Sequence, residues 1–585
     1  MTFVREPEAA ESSAPWPRLR RLAHFARAEQ LYFVLAIAIG IFSGLAVVAF
    51  RFAITALNAH LLGPVAGRSP LRSLLAPTLV GLGLGVLVVR VFPGARGSGV
   101  NQTKAALYIY DGYISFRTVL GKFITAALAI GSGQSLGPED PSLQVGAGLA
   151  SLLGRRLNLS QSRQRLLAPL GAAAGLAAAF NAPLAAVMFV IEEVIGRWSS
   201  GVIGAVVLAA VSSTVVARAF FGDHPLFAAP PFELRHASEL LAYAVLGVVG
   251  GFGSLLFIKL VIWLRPRLRG LPAWTHYLQP AAAGLVIGAI GIWYPQIMGA
   301  GYDAINQAMG GTYLWPTLAL LSLLKIGATA LSFTSGAPGG MFAPTLFIGA
   351  MLGAAVGGAE HLLLPRLTAP IGVYALVGMG TTFAGLLRAP MTSVFIVTAV
   401  SGSYDIVLPL MISNSLAFVI SRRWQPVPIF EVLTKQDGLT LPSMEELREE
   451  QVMHVEDAMR SAKAGGRDIP VIAAERPVRE AWLQAQTSPR RFVLVDGGHG
   501  AWYGVTLDML APLVVQAQEE RPLQEVLQPG WRLPVLYPDQ PLEAFLREAG
   551  DEPLLPVIHR AQGLLLGVLT LPDVMAAYHR AGGSG

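Results

Sequence analysis

Apolar runs follow one another from Leu31 to Ile420, and several of them are too short to cross a bilayer. A spanning helix needs about 20 apolar residues, whereas the runs 119–130 and 391–400 stop well short. Broken helices at membrane depth survive only where protein or a water-filled cavity, and not lipid, meets their free backbone groups. The pattern predicts an all-α, multi-pass integral membrane protein whose broken helices line a path for a solute. Composition agrees: 53% of residues are hydrophobic and only 14% charged, against roughly a quarter charged in soluble domains.

Other chemistries are excluded. The chain has no cysteine, so disulfides, thiolate metal sites and thiol catalysis are ruled out. The ten histidines include no pair at ligand spacing, which argues against a metal centre. The net charge of +6 is scattered, as expected of arginines flanking spans and not of a nucleic-acid surface. Arg18, Arg20, Arg21 and Arg27 precede the first run, and Arg422 and Arg423 follow the last. The positive-inside bias then puts both ends in the cytosol, with an even number of crossings between them. Residues 1–30 mix acids with these arginines and lack the apolar core of a secretory signal, so they read as a cytosolic segment.

An internal repeat narrows the fold further. PSLQVGAGLA at 141–150 aligns with PTLFIGAMLG at 344–353, an offset of 203 residues. NAPLAAVMFVIEE at 181–193 aligns with RAPMTSVFIVTAV at 388–400, an offset of 207. Two matches in consistent register predict a membrane domain (31–433) of two related halves, about 31–221 and 238–425. Such transporters place the substrate site where the halves meet, near the bilayer midplane. From 434 to 585 charge returns, and VREAWLQAQ–RFVLVDGGHGAWYGVT and PLEAFLREAG–PLLPVIHRAQGLLLGVLT each read as helix, strand, turn, strand. The tail is therefore expected to be a cytosolic α+β module with copies near 452–512 and 523–580.

Three glycine-rich turns sit beside apolar helices: GSGVN (97–101), GPEDP (137–141) and GAPGGMFAP (336–344). The first turn of a helix presents unpaired N–H groups and a partial positive charge. Several such ends converging at one place bind an anion without a buried lysine or arginine.

These motifs resemble those of the CLC chloride channel/transporter family. GSGVN is similar to the family's GSGIP, GPEDP to GREGP, GGMFAP to GGIFAP, and FNAPLAAVMFVIEE begins with the family's FNAPLA. The resemblance implies an inverted-repeat CLC-type fold, a homodimer with one anion pathway per subunit, chloride as substrate and no required cofactor. Glu139 matches the external gating glutamate, a tethered carboxylate that imitates the anion until protonated or displaced. An ionised group at this depth is costly unless it works or is paired. Asp140 beside it reads as an acid on the dipole of its own helix. Glu193 matches the internal proton-transfer glutamate of the family's exchangers, with Glu192 as the alternative. Ser98 matches the serine whose hydroxyl donates to the central anion, and the N–H groups of Gly340, Met341, Phe342 and Ala343 match the facing donors.

The departures are specific. Phe430 in VPIFEVL stands where the family has a tyrosine, which removes one donor from the central site. Asn101 replaces a proline, Pro138 and Asp140 replace arginine and glycine, and Lys104 stands where some exchangers carry an acid. The tail resembles a tandem pair of CBS domains. In it, Thr570 and Asp573 of GVLTLPD have the spacing that such domains use for a nucleotide ribose, so an adenine nucleotide is the ligand expected there. The first copy, GVTLD, is one residue short before Asp508.

Proton-coupled chloride antiport is the function these residues imply, with chloride and protons as partners. A passive voltage- or pH-gated chloride channel is the alternative. A CBS-containing cation channel is remote, because cation sites want clustered carboxylates and the spans hold few acids. An enzyme is not expected, since no histidine lies within the spans to pair with a serine.

Overall fold

The computed structural model describes residues 17–64, 68–159, 161–196, 200–223, 225–227, 238–363, 368–439, 441–442, 453–461, 469–498, 500–550 and 552–582. Two sets of eight helices follow one another. The first holds α1 (Pro17–Leu61), α2 (Pro70–Val86), α3 (Gly99–Tyr108), α4 (Phe116–Gly131), α5 (Glu139–Arg156), α6 (Gln161–Phe180), α7 (Pro183–Phe189) and α8 (Ser200–Phe221). The second holds α9 (Glu239–Arg269), α10 (Gln279–Trp293), α11 (Tyr302–Met309), α12 (Trp315–Thr334), α13 (Phe342–Leu363), α14 (Ile371–Leu387), α15 (Pro390–Ser401) and α16 (Val407–Trp424). A short α17 (Ile429–Gln436) closes the domain. Six of the described helices are long and apolar enough to cross a membrane, among them α8, α9 and α12.

The repeat seen in the sequence is carried by local physics. Ser98 and Ser115 cap α3 and α4 with their side-chain oxygens, which supplies an acceptor to first-turn N–H groups. Proline begins α2, α7 and α15, where its missing N–H costs nothing. The turns before α7 and α15 use one left-handed residue each, Asn181 (φ 56°) and Arg388 (φ 61°). Asparagine tolerates that conformation and arginine does not favour it. The same bend is thus kept in both halves despite the substitution.

Small residues bring the inner helices together. A side chain on Gly146 of α5 would strike the backbone of Gly171 in α6, and one on Gly349 of α13 the backbone of Gly378 in α14. Close backbone approach of this kind is how helices associate where lipid supplies no hydrophobic driving force. α5 and α13 are consequently buried along most of their length.

In the tail, β1 (Arg460–Ser461), β2 (Val471–Ala473), β3 (Phe492–Asp496), β4 (Trp502–Thr506), β5 (Leu554–Ile558) and β6 (Leu565–Thr570) form two three-stranded sheets, ordered β1-β6-β5 and β2-β3-β4. Helix Val478–Thr487 precedes the β3–β4 hairpin, and helix Glu543–Glu548 precedes β5–β6. The expected order of helix, strand, turn and strand therefore occurs twice. Residues 443–452, at the start of the expected tail, lie outside the described residues.

Candidate functional site

The heads of α5 and α13 meet in the middle of the membrane domain. Gly137 and Gly340 exchange two backbone hydrogen bonds, each 2.8 Å, in an isolated antiparallel bridge. They lie 203 residues apart, the spacing of the repeat, so the two halves join at equivalent points. A Cβ on Gly137 would meet the Glu139 carboxylate, and one on Gly340 would meet the Asp140 Cβ.

Glu139, the first residue of α5, is fully buried. One carboxylate oxygen accepts from the Ala343 N–H at the head of α13, 3.3 Å away, and the other accepts from the Tyr302 hydroxyl. Its charge rests where an anion is attracted, at the start of a helix from the other half. Tyr302 begins α11 and is a site residue that sequence reasoning missed. It lies 163 residues from Glu139 and no local pattern marks it.

Asp140 lies in the first turn of α5, where the sequence placed it, and also serves a second helix. Its Oδ1 crosses to the head of α3, accepting from the Val100 N–H at 2.8 Å and the Ser98 hydroxyl at 3.3 Å. Ser98, expected to donate to an anion, thus donates to a carboxylate of the chain. Met341, Phe342 and Ala343 are buried at the head of α13. The Phe342 ring is the hub of an aromatic cluster with Phe180, Phe189, Phe383 and Phe430, at centroid separations of 5.0–6.5 Å. Phe430 is buried, its ring T-shaped to that of Phe342. The Asn101 amide donates to the Phe430 carbonyl at 3.0 Å, so two departures from the family pattern are physically joined.

Glu192 and Glu193 lie in a π-helical turn, Val190–Ile195, that continues α7. Such turns are rare and concentrate at functional sites. They send the neighbouring acids to different partners. Glu192 caps α15, accepting from the Thr392 N–H at 2.9 Å and its hydroxyl at 2.6 Å. Glu193 is buried and paired with Lys104, Nζ to Oε1 2.5 Å. The Lys104 ammonium also stands 5.9 Å over the Phe430 ring, so Glu193, Lys104, Phe430 and Phe342 form a continuous buried line.

Two further lysines went unnoticed in the sequence. Lys122 donates to the carbonyls of Ala95 and Gly97 before α3, and Lys325 to those of Ile297 and Gly299 before α11. Both are fully buried and, like the bridging glycines, 203 residues apart. Applying the offset to every buried charge would have found them. They fix the loops that deliver the heads of α3 and α11.

In the tail, Thr570 and Asp573 bond to each other. The Asp573 carboxylate accepts from the Thr570 hydroxyl at 2.5 Å and its N–H at 3.2 Å, and forms an ion pair with Arg460 at 2.7 Å. In the first copy Thr506 caps its helix alone, accepting from the Met509 N–H.

The comparisons agree with this architecture. The family described as voltage gated chloride channel matches residues 80–422. A ClcB-like chloride channel protein of Ralstonia nicotianae is 37% identical over 70% of this chain and 99% of its own length. The H(+)/Cl(-) exchange transporter ClcA of Vibrio campbellii is 34% identical over 59% of this chain and 75% of its own. Among solved structures, a slow cyanobacterial Cl−/H+ antiporter superposes with a TM-score of 0.64 at 27% identity, covering 69% of this chain and 97% of the antiporter. A eukaryotic CLC transporter shares the fold over 93% of this chain and 97% of its own, with a TM-score of 0.63 at 21% identity. By motif, repeat and overall likeness, the chain belongs to the voltage-gated chloride channel family, CLC.

Proposed function

We propose that this protein exchanges chloride for protons across a membrane, with Glu139 as the external gate and Glu193 as the internal proton-transfer residue. The observation that carries the reading is the Glu139 carboxylate seated on the Ala343 N–H at the head of α13. A carboxylate there occupies an anion's place, and a protonated one loses its hold on the helix end, which couples the two ions in one side chain. Relatives named as proton/chloride exchangers support the same reading. Ser98, the N–H groups of Met341, Phe342 and Ala343, and Phe430 are the groups assigned to the anion path; Gly340, also expected there, gives its N–H to the Gly137 carbonyl. The working unit is a homodimer with both termini in the cytosol, and the tail is a CBS pair with an adenine nucleotide as its candidate ligand.

The test is the reversal potential of reconstituted vesicles under opposed chloride and pH gradients. Coupled exchange shifts the potential with pH, and a potential that follows chloride alone defeats the reading. One observation favours the passive channel as a second reading. The Lys104 ammonium is 2.5 Å from Glu193 and buried with it, so this acid is already engaged in an ion pair within the chain.

A further inference from the structure

We propose that Asp140 is a second tethered carboxylate, competing with the transported anion at the head of α3 as Glu139 does at the head of α13. The inference rests on the anion path proposed above. Neighbouring residues at the start of α5 thus reach opposite halves of the protein, Glu139 to the Ala343 N–H and Asp140 to the Val100 N–H.

A purely structural cap does not account for Asp140. The α3 head already has one, because the Ser98 hydroxyl oxygen accepts from the Val100 N–H at 3.2 Å. The equivalent place in the second half, 203 residues on, is Ala343, so the backbone forms the same turn without an acid. Asp140 is almost fully buried. Lys122 interacts with it electrostatically, but its ammonium donates to the Ala95 and Gly97 carbonyls. A buried carboxylate is costly unless it is paired, and this one is held by the Val100 and Ser98 donors an incoming anion would use, with Lys122 interacting electrostatically. Gly340 lies against the Asp140 Cβ on the other side, which leaves the carboxylate directed at α3. An anion that engages Ser98 and Val100 must therefore displace it, with Lys122 the cation that already interacts with it.

The test is chloride titration of the full-length protein by calorimetry, with gluconate as the matched control, in wild type, Asp140→Asn and Asp140→Gly. Asp140→Asn keeps the size and the accepting oxygen, so it folds even where glycine does not. Removing a charged competitor raises chloride affinity about tenfold in both variants. Affinity equal to or below wild type in Asp140→Asn overturns the proposal, as does a lowered melting temperature with unchanged affinity, which marks a structural cap. Proton flux separates the two readings. Chloride movement without protons defeats antiport and leaves the affinity shift standing, whereas coupled exchange with unchanged affinity defeats only the role of Asp140. Absence of chloride heat in all three proteins overturns both.

Discussion

The heads of α5 and α13 share a backbone and differ in chemistry. Both follow the Gly137–Gly340 bridge and both are buried. The first opens with Glu139 and Asp140, the second with Phe342 and Ala343. In one half the helix end presents carboxylates; in the other it presents backbone N–H groups, one of which holds the Glu139 carboxylate, and an aromatic hub. The same division recurs further along the repeat. Glu192 and Glu193 occupy a π-helical turn after α7, while α15 continues as an ordinary helix. What is kept in both halves is framework, as with Lys122 and Lys325. Duplication provides the geometry, and acids in one half only give it a direction.

The hardest way to break that comparison is to erase its acids. Glu139→Ala is expected to abolish proton movement driven by a chloride gradient while chloride flux continues, read with a pH electrode and chloride efflux from vesicles. Glu193→Gln should give the same pair of results, since only a titratable group relays a proton. Persisting proton transport in either variant means that the acids of the first half are not the proton carriers.

A smaller effect tests the buried line beneath the hub. Lys104→Met strands the Glu193 carboxylate without its partner. Breaking a buried pair from one side costs about 3–5 kcal/mol, visible as a marked fall in melting temperature. Lys104→Met combined with Glu193→Gln should recover much of it. Equal melting of wild type and Lys104→Met would show that the pair contributes nothing.

Phe430→Tyr sharpens the second-half side, where donors gather. A new hydroxyl facing a charged ion contributes roughly 1.5–3 kcal/mol, about tenfold or more in chloride affinity, with tighter coupling alongside. Unchanged affinity in the calorimeter would mean the ring edge faces Phe342 and not the ion. The smallest change is expected in the tail. ATP added to the full-length protein should give weak heat or none, because Thr570, Asp573 and Arg460 already bond to one another. Strong binding that disappears in Asp573→Ala would reverse this expectation.

The backbone was more legible than the side chains. Glycine, proline and small residues mark turns and close helix crossings locally, so the repeat and the anion-attracting helix heads could be read from GSGVN, GPEDP and GGMFAP. Pairings between distant residues carry no local mark: Lys104 finds Glu193 across 89 residues, and Asn101 finds Phe430 across 329. Asp140 illustrates the limit well. Its position at a helix start was evident, but which helix its carboxylate serves depends on two rotatable bonds and on what α3 brings alongside. The choice between Glu192 and Glu193 likewise turns on a π-helical turn that periodicity does not announce.

The paired hydrogen bonds between Gly137 and Gly340 also have a mechanical meaning. They act as a rivet between the heads of α5 and α13: both glycines are buried, and sliding or tilting one half against the other would strip both bonds from buried polar groups. Large rocking of the halves is therefore disfavoured, and the work of opening and closing falls to parts that move without loosening the rivet. Side chains rotating beside it, and helices at the periphery, fit that requirement. The stroke of such a machine is measured in rotamers.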